Sequence, residues 1–389
     1  MIDVPLAPRS CACCGGHDLE PVWSNRSVVR KALETYRFRV QVVVCRTCGF
    51  CFVSPGPSRD DLKRYYADGL SSYKGIALPY SIERRLAVLE RYRAPSGTFL
   101  EVGGDRPEEF HRRCADLFGA TFSMEVSNDA ASDFKSLDDV PAASVDVLAH
   151  YDVLEHVPGV AEFLGACHRA LKGDGVMICE VPDLRLYPRN LLLLEFEHVN
   201  HFSVGTLAVI GHSCGFQLLE VRHVCSRPFG FLSVFRKQGP GSGQPVELPF
   251  EYVDALACVR GGVERVERLL ATLRAVRQRI QDLGARDRRV TLWGVTDLLR
   301  RLLDDWALPK TAMVVDVDPR RRTHLENQGV QVSEPREQRA HIRESDLLVI
   351  CAPRYREEIL EWAARESGRR FAGRELEVLG AGDAGESLL

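Results

Sequence analysis

The chain has 389 residues, of which 45% are hydrophobic and 27% are charged, and its formal net charge is −3. This composition is typical of a globular protein with two or three domains. The weak net charge provides no global field to attract nucleic acid, and the longest apolar runs, such as 191–194, are too short to span a bilayer. The first residues lack the basic start and apolar core of a signal peptide, so we expect a cytoplasmic protein without a nucleic-acid or membrane partner.

Near the start of the chain, cysteines have the spacing of a metal site. The predicted ligands form two C-x-x-C pairs, Cys11 with Cys14 and Cys45 with Cys48, and a glycine follows each pair. Four thiolates that converge on one ion give the closed tetrahedral geometry of structural zinc. A disulfide pair or scattered free thiols are the alternative, which thirteen cysteines without a secretory leader disfavour. Cys13 and Cys51 are close enough in sequence to exchange as ligands.

Short apolar strands alternate with helical segments in two parts of the chain. The predicted strands lie at 98–102, 120–125, 145–149 and 176–180, and again at 289–294, 312–316 and 346–351. This alternation predicts an α/β fold with parallel, doubly wound sheets. Between the two parts, apolar residues at helical spacing from 253 to 283 predict a long amphipathic helix.

The first α/β part has the pattern of an adenosine-binding half-fold. Gly103 and Gly104 follow its first strand, where a glycine-rich turn lets the backbone approach a ligand. Glu125 ends the second strand about 20 residues later, where an acid can bind the hydroxyls of a ribose.

These residues resemble the class I S-adenosylmethionine-dependent methyltransferases. The resemblance rests on Glu101-Val-Gly-Gly, on Glu125, on the run Asp146-Val-Leu-Ala-His-Tyr-Asp-Val-Leu-Glu-His156, and on Leu171-Lys-Gly-Asp-Gly175 before the next strand. It implies S-adenosylmethionine as the cofactor. The cofactor-binding residues that it implies are Glu101, Gly103, Gly104, Glu125 and Tyr151.

The order of motifs along the whole chain is similar to that of the zinc-containing sugar C-methyltransferases, which methylate a carbon of a nucleotide-linked keto-deoxysugar. Glu197-His198-Val-Asn-His201-Phe-Ser203 is similar to their Glu-His-x-x-Tyr-Phe-Ser segment. The resemblance implies a nucleotide sugar as the small-molecule substrate, with His198 and Glu197 in acid/base catalysis and His156 as a second active-site histidine. His201 is a further catalytic candidate. For His156 a local structural role is the alternative, and for His201 a place in the core or an interface.

Such a reaction suits these residue types. Methylation at carbon requires removal of a proton beside a ketone. A histidine or glutamate can accept that proton while a hydrogen-bond donor stabilises the enolate oxygen.

The motifs along the whole chain predict the following domains: a zinc-binding module at 1–58, a helical linker at 59–92, a methyltransferase-like domain at 93–248, a connecting helix at 249–286, a Rossmann-like domain at 287–380 and a tail at 381–389.

The glycine turn departs from the Gly-x-Gly-x-Gly pattern of these methyltransferases. Gly103 is in place, but Asp105 stands at the second glycine position and Pro107 at the third. A side-chain carboxylate at the second position would crowd and repel the carboxylate of the methyl donor.

The insert departs from the family as well, because Glu195 replaces a tyrosine and His201 replaces another. Glu195, Glu197, His198 and His201 form an acidic, imidazole-rich cluster in the sequence. Such a cluster could hold a metal ion through His198 and His201, or it could be satisfied by ordinary hydrogen bonds.

We therefore predict an S-adenosylmethionine-dependent C-methyltransferase that acts on a nucleotide-activated deoxysugar by proton abstraction and methyl transfer. One alternative is an enzyme of this fold that no longer binds the methyl donor and performs another proton-transfer step on a nucleotide sugar. A second is a non-catalytic scaffold or partner protein. The C-terminal part has a single turn glycine, Gly294, so we expect it to have a supporting role without a dinucleotide site of its own.

Overall fold

The computed structural model describes residues 2–30, 34–67, 79–103, 108–127, 131–189, 194, 197–223, 230–239, 247–248, 251–303, 306–326 and 329–379. The chain forms two compact units. Most of the first 263 residues belong to the first unit, and the main part of the second begins at Glu264. In the described part of the chain, no helix combines the length and apolar character needed to cross a bilayer.

The first unit is a mixed α/β structure. Its strands are β1 (Ile2–Asp3), β2 (Leu6–Ala7), β3 (Leu19–Arg30), β4 (Thr35–Cys45), β5 (Cys51–Val53), β6 (Gly56–Pro57), β7 (Ala94–Val102), β8 (Phe118–Met124), β9 (Val145–Tyr151), β10 (Leu171–Pro182), β11 (Asn200–His201), β12 (Phe216–Arg222) and β13 (Gly230–Lys237). Its helices are α1 (Arg59–Ala67), α2 (Pro79–Leu89), α3 (Glu108–Cys114), α4 (Val160–Ala170) and α5 (Val204–Ser213).

The central sheet has the strand order β12-β13-β10-β9-β7-β8. Strands β8, β7, β9 and β10 are parallel, as the alternating pattern predicts, whereas β13 and β12 are antiparallel to their neighbours. The sequence predicted four strands of a parallel sheet, the last at 176–180, and did not predict β12 or β13. These two strands pair antiparallel because only seven residues separate them, and a parallel crossover needs about a dozen or more.

Apolar side chains cover both faces of this sheet. On one face, Leu164 of α4 packs with Leu100 and Leu148, and on the other, Leu86 of α2 packs with Phe99. Strands β9 and β10 are buried along most of their length, which is the pattern of strands covered on both faces.

The cysteine-rich segment shares the core of this sheet, although the sequence predicted it as a separate module. Phe50 and Phe52 belong to the same buried cluster as Val102 and Phe202. Strand β11 pairs with β5, with His201 opposite Cys51. The segment that contains His198 and His201 is thereby joined to the sheet that carries the cysteines.

A long helix, α6 (Tyr252–Gly284), corresponds to the predicted amphipathic helix. The second unit continues with strands β14 (Val290–Trp293), β15 (Ala312–Val315), β16 (Val332–Ser333), β17 (Leu347–Ile350) and β18 (Leu376–Val378), and with helices α7 (Asp297–Leu303), α8 (Pro319–Glu326), α9 (Arg339–Glu344) and α10 (Arg356–Trp362). Its strands are all parallel in the order β16-β15-β14-β17-β18, that of a doubly wound sheet.

An acid ends β15, at the position where a dinucleotide-binding sheet would bind a ribose. Here the Asp316 carboxylate accepts hydrogen bonds from the N–H groups of Val295 (2.6 Å) and Asp318 (2.8 Å). Both oxygens therefore bind the loops that follow β14 and β15.

Candidate functional site

The four predicted zinc ligands converge. The Sγ atoms of Cys11 and Cys48 lie 3.5 Å apart, as do those of Cys14 and Cys45, and all four lie within 4.8 Å of one another. A tetrahedral Zn–S site with bonds of about 2.3 Å has sulfur–sulfur separations of about 3.8 Å. The arrangement therefore fits one structural zinc ion, and the soft thiolate set leaves no position open for a substrate.

The local backbone explains this convergence. The N–H of Gly15 donates to the Cys11 carbonyl (2.8 Å), and the N–H of Gly49 donates to that of Cys45 (2.9 Å), which closes both knuckles. Gly49 has φ +80°, and a Cβ there would lie 2.5 Å from the backbone carbon of Glu251. Only glycine is compatible with both constraints.

Burial and the neighbouring thiols raise the pKa of the Cys14 thiol to about 11. A bound cation would let these thiols lose their protons, so we expect metal binding to be coupled to the folding of this segment.

The carboxyl edge of the central sheet holds the predicted cofactor residues. The chain passes from β7 to β8 on one side and later returns to β9 on the other, which makes the β7/β9 boundary a topological switch point. Ligands of open α/β sheets bind in the crevice outside such a point. Gly103, Glu125 and Tyr151 lie at the ends of β7, β8 and β9 respectively.

Gly103 has a backbone conformation and a side-chain neighbour that favour glycine. It has φ +73°, its N–H donates to the Met124 carbonyl (2.8 Å), and a Cβ would overlap the Val153 side chain. Glu125 is buried at the next strand end, and its Oε1 accepts the N–H of Ser127 (3.0 Å). The predicted residue Gly104, with Asp105 and Pro107, lies outside the described residues.

Glu101 and Tyr151 form one network with two basic side chains, Arg85 and His111, which no sequence motif singled out. The carboxylate of Glu101, 1% exposed, lies 2.7 Å from Nε2 of His111 and 3.9 Å from the Arg85 guanidinium. The same guanidinium lies 4.0 Å from the centre of the Tyr151 ring, and burial raises the pKa of that phenol well above its usual value. The network fixes the end of β7 beside the end of β9.

The predicted catalytic residues His156, His198 and Glu197 lie together. The rings of His156 and His198 are 4.9 Å apart between centroids. The backbone carbonyl of Glu197 lies 2.9 Å from Nδ1 of His156. Both histidines belong to a group with Glu155 whose ligand atoms lie within 4.8 Å of one another.

Two tyrosines of α1 complete this group. The Tyr65 hydroxyl donates to Oε1 of Glu197 (2.5 Å), and the Tyr66 hydroxyl lies 3.1 Å from Nδ1 of His156. The Tyr65-Tyr66 pair is visible in the sequence as an aromatic dipeptide. Its role was missed because nothing in its spacing relates it to residues 90 or more positions later.

The tautomer of His156 follows from its partners. A carbonyl oxygen can only accept, so Nδ1 of His156 carries the proton that is donated to Glu197. In the neutral ring, Nε2 is then the unprotonated nitrogen, and it lies 3.9 Å from Oε1 of Glu155. Nε2 of His156 therefore faces the Glu155 carboxylate.

The loop after β9 and the segment around His198 are held together by backbone-directed hydrogen bonds. The N–H of Val199 donates to the carbonyl of Glu155 (2.8 Å). The Asn200 side-chain amide donates to the carbonyls of Leu154 (3.1 Å) and Val157 (2.7 Å). These bonds place His156 beside His198, although His156 and Glu197 are 41 positions apart in the sequence.

Arg9 joins the cysteine-rich segment to the same place. Its guanidinium donates to four oxygens: the carbonyls of Val53 (3.0 Å), Val199 (2.9 Å) and Pro158 (2.8 Å), and the Asn200 side chain (2.7 Å). Burial lowers the pKa of Arg9 to about 10, so the side chain stays charged at neutral pH. The cysteine-rich segment therefore helps to position the histidine segment.

His201 lies beside this group with a different set of contacts. Its Nδ1 is 2.7 Å from the Tyr187 hydroxyl, and among the described residues its Nε2 has no hydrogen-bond partner. Burial, with nearby His198 and Arg9, lowers its pKa well below the usual value, which keeps the ring neutral. These contacts favour the core role that the sequence left open for His201. Glu195, the other member of the predicted insert cluster, lies outside the described residues.

Residues 76–221 match a family model described as a methyltransferase domain. This match and the strand order of the central sheet indicate a methyltransferase-like fold for this part of the chain. No curated protein matches the chain significantly.

Several solved structures are weakly similar to part of this chain. An S-adenosylmethionine-dependent methyltransferase from Mesorhizobium loti is 16% identical, with a TM-score of 0.32 over 39% of this chain and 96% of its own. The 1,6-didemethyltoxoflavin-N1-methyltransferase of Burkholderia thailandensis is 12% identical, with a TM-score of 0.35 over 49% and 96%. An S-adenosylmethionine-dependent methyltransferase from Aquifex aeolicus is 13% identical, with a TM-score of 0.34 over 42% and 95%. Similarities this weak identify no substrate.

Proposed function

We propose that this protein is an S-adenosylmethionine-dependent C-methyltransferase that acts on a nucleotide-activated keto-deoxysugar. The observation that carries the proposal is the convergence of His156, His198 and Glu197 beside the loop that follows β9. That loop adjoins the switch point at which a class I methyltransferase domain is expected to bind its donor. Groups suited to proton transfer thus lie next to the expected position of the methyl group.

The donor half of the proposal is supported by the carboxyl ends of β7 and β8. Gly103 has the positive φ that the turn after the first strand requires, and the buried Glu125 carboxylate stands where it could accept hydrogen bonds from the hydroxyls of a ribose. When bound, S-adenosylmethionine supplies an electrophilic methyl group on a sulfonium. The domain's own contribution is to position the acceptor carbon in line and to exclude water.

Proton transfer is the part that this chain's side chains perform. In the proposed reaction His198 takes the proton beside the ketone, and Glu197, held by the Tyr65 hydroxyl, orients and balances the imidazolium. His156, its Nδ1–H fixed on a backbone carbonyl, presents a lone pair on the same side. The sugar substrate is supported by the similarity of Glu197-His198-Val-Asn-His201-Phe-Ser203 to the sugar C-methyltransferase segment.

Calorimetric titration with S-adenosylmethionine and S-adenosylhomocysteine tests the donor half. We expect micromolar binding of both, and absence of binding at millimolar ligand would refute methyl transfer. Because Asp105 occupies a glycine position in the turn, Asp105→Gly is expected to tighten binding. An unchanged affinity would contradict the assignment of the turn.

Deuterium exchange into a nucleotide-linked keto-deoxysugar tests the proton-transfer half without the methyl donor. We expect exchange at the carbon beside the ketone, slowed by about 10²-fold or more in His198→Gln and unchanged in His212→Gln, a partly exposed histidine of α5. Exchange without donor binding would favour the second candidate function, a proton-transfer enzyme that has lost methyl transfer. That candidate is favoured by Asp105 in the glycine turn.

A further inference from the structure

Glu155, His156 and His198 form a second cluster of metal-ligating groups, distinct from the four cysteines. Each offers one ligand atom, and the three atoms lie within 4.8 Å of one another. Glu155 and His198 are buried, and His156 is half-buried. The sequence pointed instead to His198 with His201, whose ring is engaged with Tyr187.

The histidine geometry is that of a ligand whose orientation is already fixed. Histidines that bind metals generally donate their second ring N–H to a carboxylate or backbone carbonyl, which sets the tautomer. His156 makes this contact, from Nδ1 to the Glu197 carbonyl at 2.9 Å. Its Nε2, the nitrogen that would bind a metal, is therefore unprotonated in the neutral ring and faces the cluster.

Electrostatics favours a cation at this point. The Glu155 side chain is 1% exposed, and its Oε1 lies 3.9 Å from the His156 Nε2 lone pair. A carboxylate oxygen and an imidazole nitrogen are both ligand atoms that transition-metal ions bind in proteins. A positive ion between them would interact favourably with both groups and with the second imidazole.

We propose that Glu155, His156 and His198 bind one divalent transition-metal ion. Two imidazoles and one carboxylate suit zinc, cobalt or nickel better than magnesium or calcium, which prefer oxygen ligands. With bonds of about 2.1 Å, tetrahedral ligands lie about 3.4 Å apart, so the side chains need to move inward by about an ångström. Three protein ligands leave one position for water or a substrate oxygen, unlike the closed sulfur site.

Metal binding and proton transfer use the same His198 lone pair, so the ion and the proton compete for it. This consequence rests on the proposed function, but the binding itself does not. Metal binding can therefore be tested without a methyl donor or a sugar.

Cobalt(II) is the appropriate probe because its absorption distinguishes the two sites. Cobalt at the cysteines gives thiolate charge-transfer absorption in the near ultraviolet, whereas a nitrogen and oxygen site gives only visible d–d bands. The full chain with its sulfur site filled by zinc is titrated with Co²⁺ and desalted, and both metals are measured by atomic emission. We expect one equivalent of cobalt beyond the zinc, with d–d bands and no thiolate absorption.

His198→Gln and Glu155→Gln should each lose this equivalent while keeping the zinc, and His212→Gln should keep both. Retained zinc and an unchanged melting temperature show that a variant is folded. The proposal is overturned if the wild type takes up no cobalt beyond the zinc, or if His198→Gln takes up as much as the wild type. Cobalt that displaces zinc and shows thiolate absorption would also overturn it, since that metal would be at the cysteines.

Discussion

His150 makes a specific prediction about acid stability. It is fully buried on β9, packs against Phe163, and among the described residues neither ring nitrogen has a hydrogen-bond partner. Burial lowers its pKa from 6.5 to about 3. The unfolded chain therefore binds a proton between these values that the folded chain does not, and stability falls as pH falls below 6.5.

The size of the effect follows from the two pKa values. Between pH 7 and pH 5, His150 alone should lower the free energy of unfolding by about 2 kcal/mol, at about 1.4 kcal/mol per pH unit below the unfolded pKa. His150→Leu removes the imidazole at similar volume and should reduce the pH-dependent loss by that amount. It should also leave the protein at least as stable at pH 7, because two unpaired buried nitrogens are removed.

Urea unfolding followed by circular dichroism at the two pH values measures this difference. Leu148→Met, on the same strand, is the control, because it perturbs the same core without removing a titratable group. The reasoning is refuted if His150→Leu and the wild type lose the same stability between pH 7 and pH 5.

Three further substitutions test the zinc segment and its link to the histidines. Cys14→Ser should lose one equivalent of zinc, measured by atomic emission, and have a lower melting temperature, measured by calorimetry. Cys214→Ser is the control and should change neither quantity. Retained zinc in Cys14→Ser would contradict the predicted ligands. Gly49→Ala should lower the free energy of unfolding by about 2 kcal/mol or more, because φ is positive and the added Cβ would overlap the backbone of Glu251. An unchanged free energy in urea unfolding would count against this packing of Gly49. Arg9→Met removes four hydrogen bonds around Val199 and Asn200. It should therefore lower the free energy of unfolding by about 3 kcal/mol in urea and slow deuterium exchange into the sugar. An unchanged free energy of unfolding would argue against these contacts.

Local sequence patterns were sufficient to predict several strands and the long helix of the fold. The alternation of apolar strands and helices predicted β7, β9 and β10, and the periodicity from 253 to 283 predicted α6 almost to its ends. These predictions succeed because side-chain burial repeats along a strand or helix within a few residues. Neither β12 nor β13 was predicted, and their antiparallel pairing depends on the connection and the neighbouring strand, which the hydrophobic period does not encode.

The candidate site was predictable only in part. His156, His198 and Glu197 were identified from a family resemblance, and the structure brings them together. Tyr65 and Tyr66 could not be assigned, because their contacts connect α1 to segments far along the chain. The metal-capable group also differs from the predicted one, since Glu155 rather than His201 joins His198.

By itself the sequence determined the convergence within each cysteine pair, because C-x-x-C spacing curls the backbone so that two thiols point the same way. It also determined the alternation of strands and helices, through a hydrophobic period that acts locally. Only the tertiary structure decided which side chains share the space beside the sheet edge. His156 and His198 meet because Val199 and Asn200 bond to the loop after β9, and those long-range hydrogen bonds leave no trace in residue spacing.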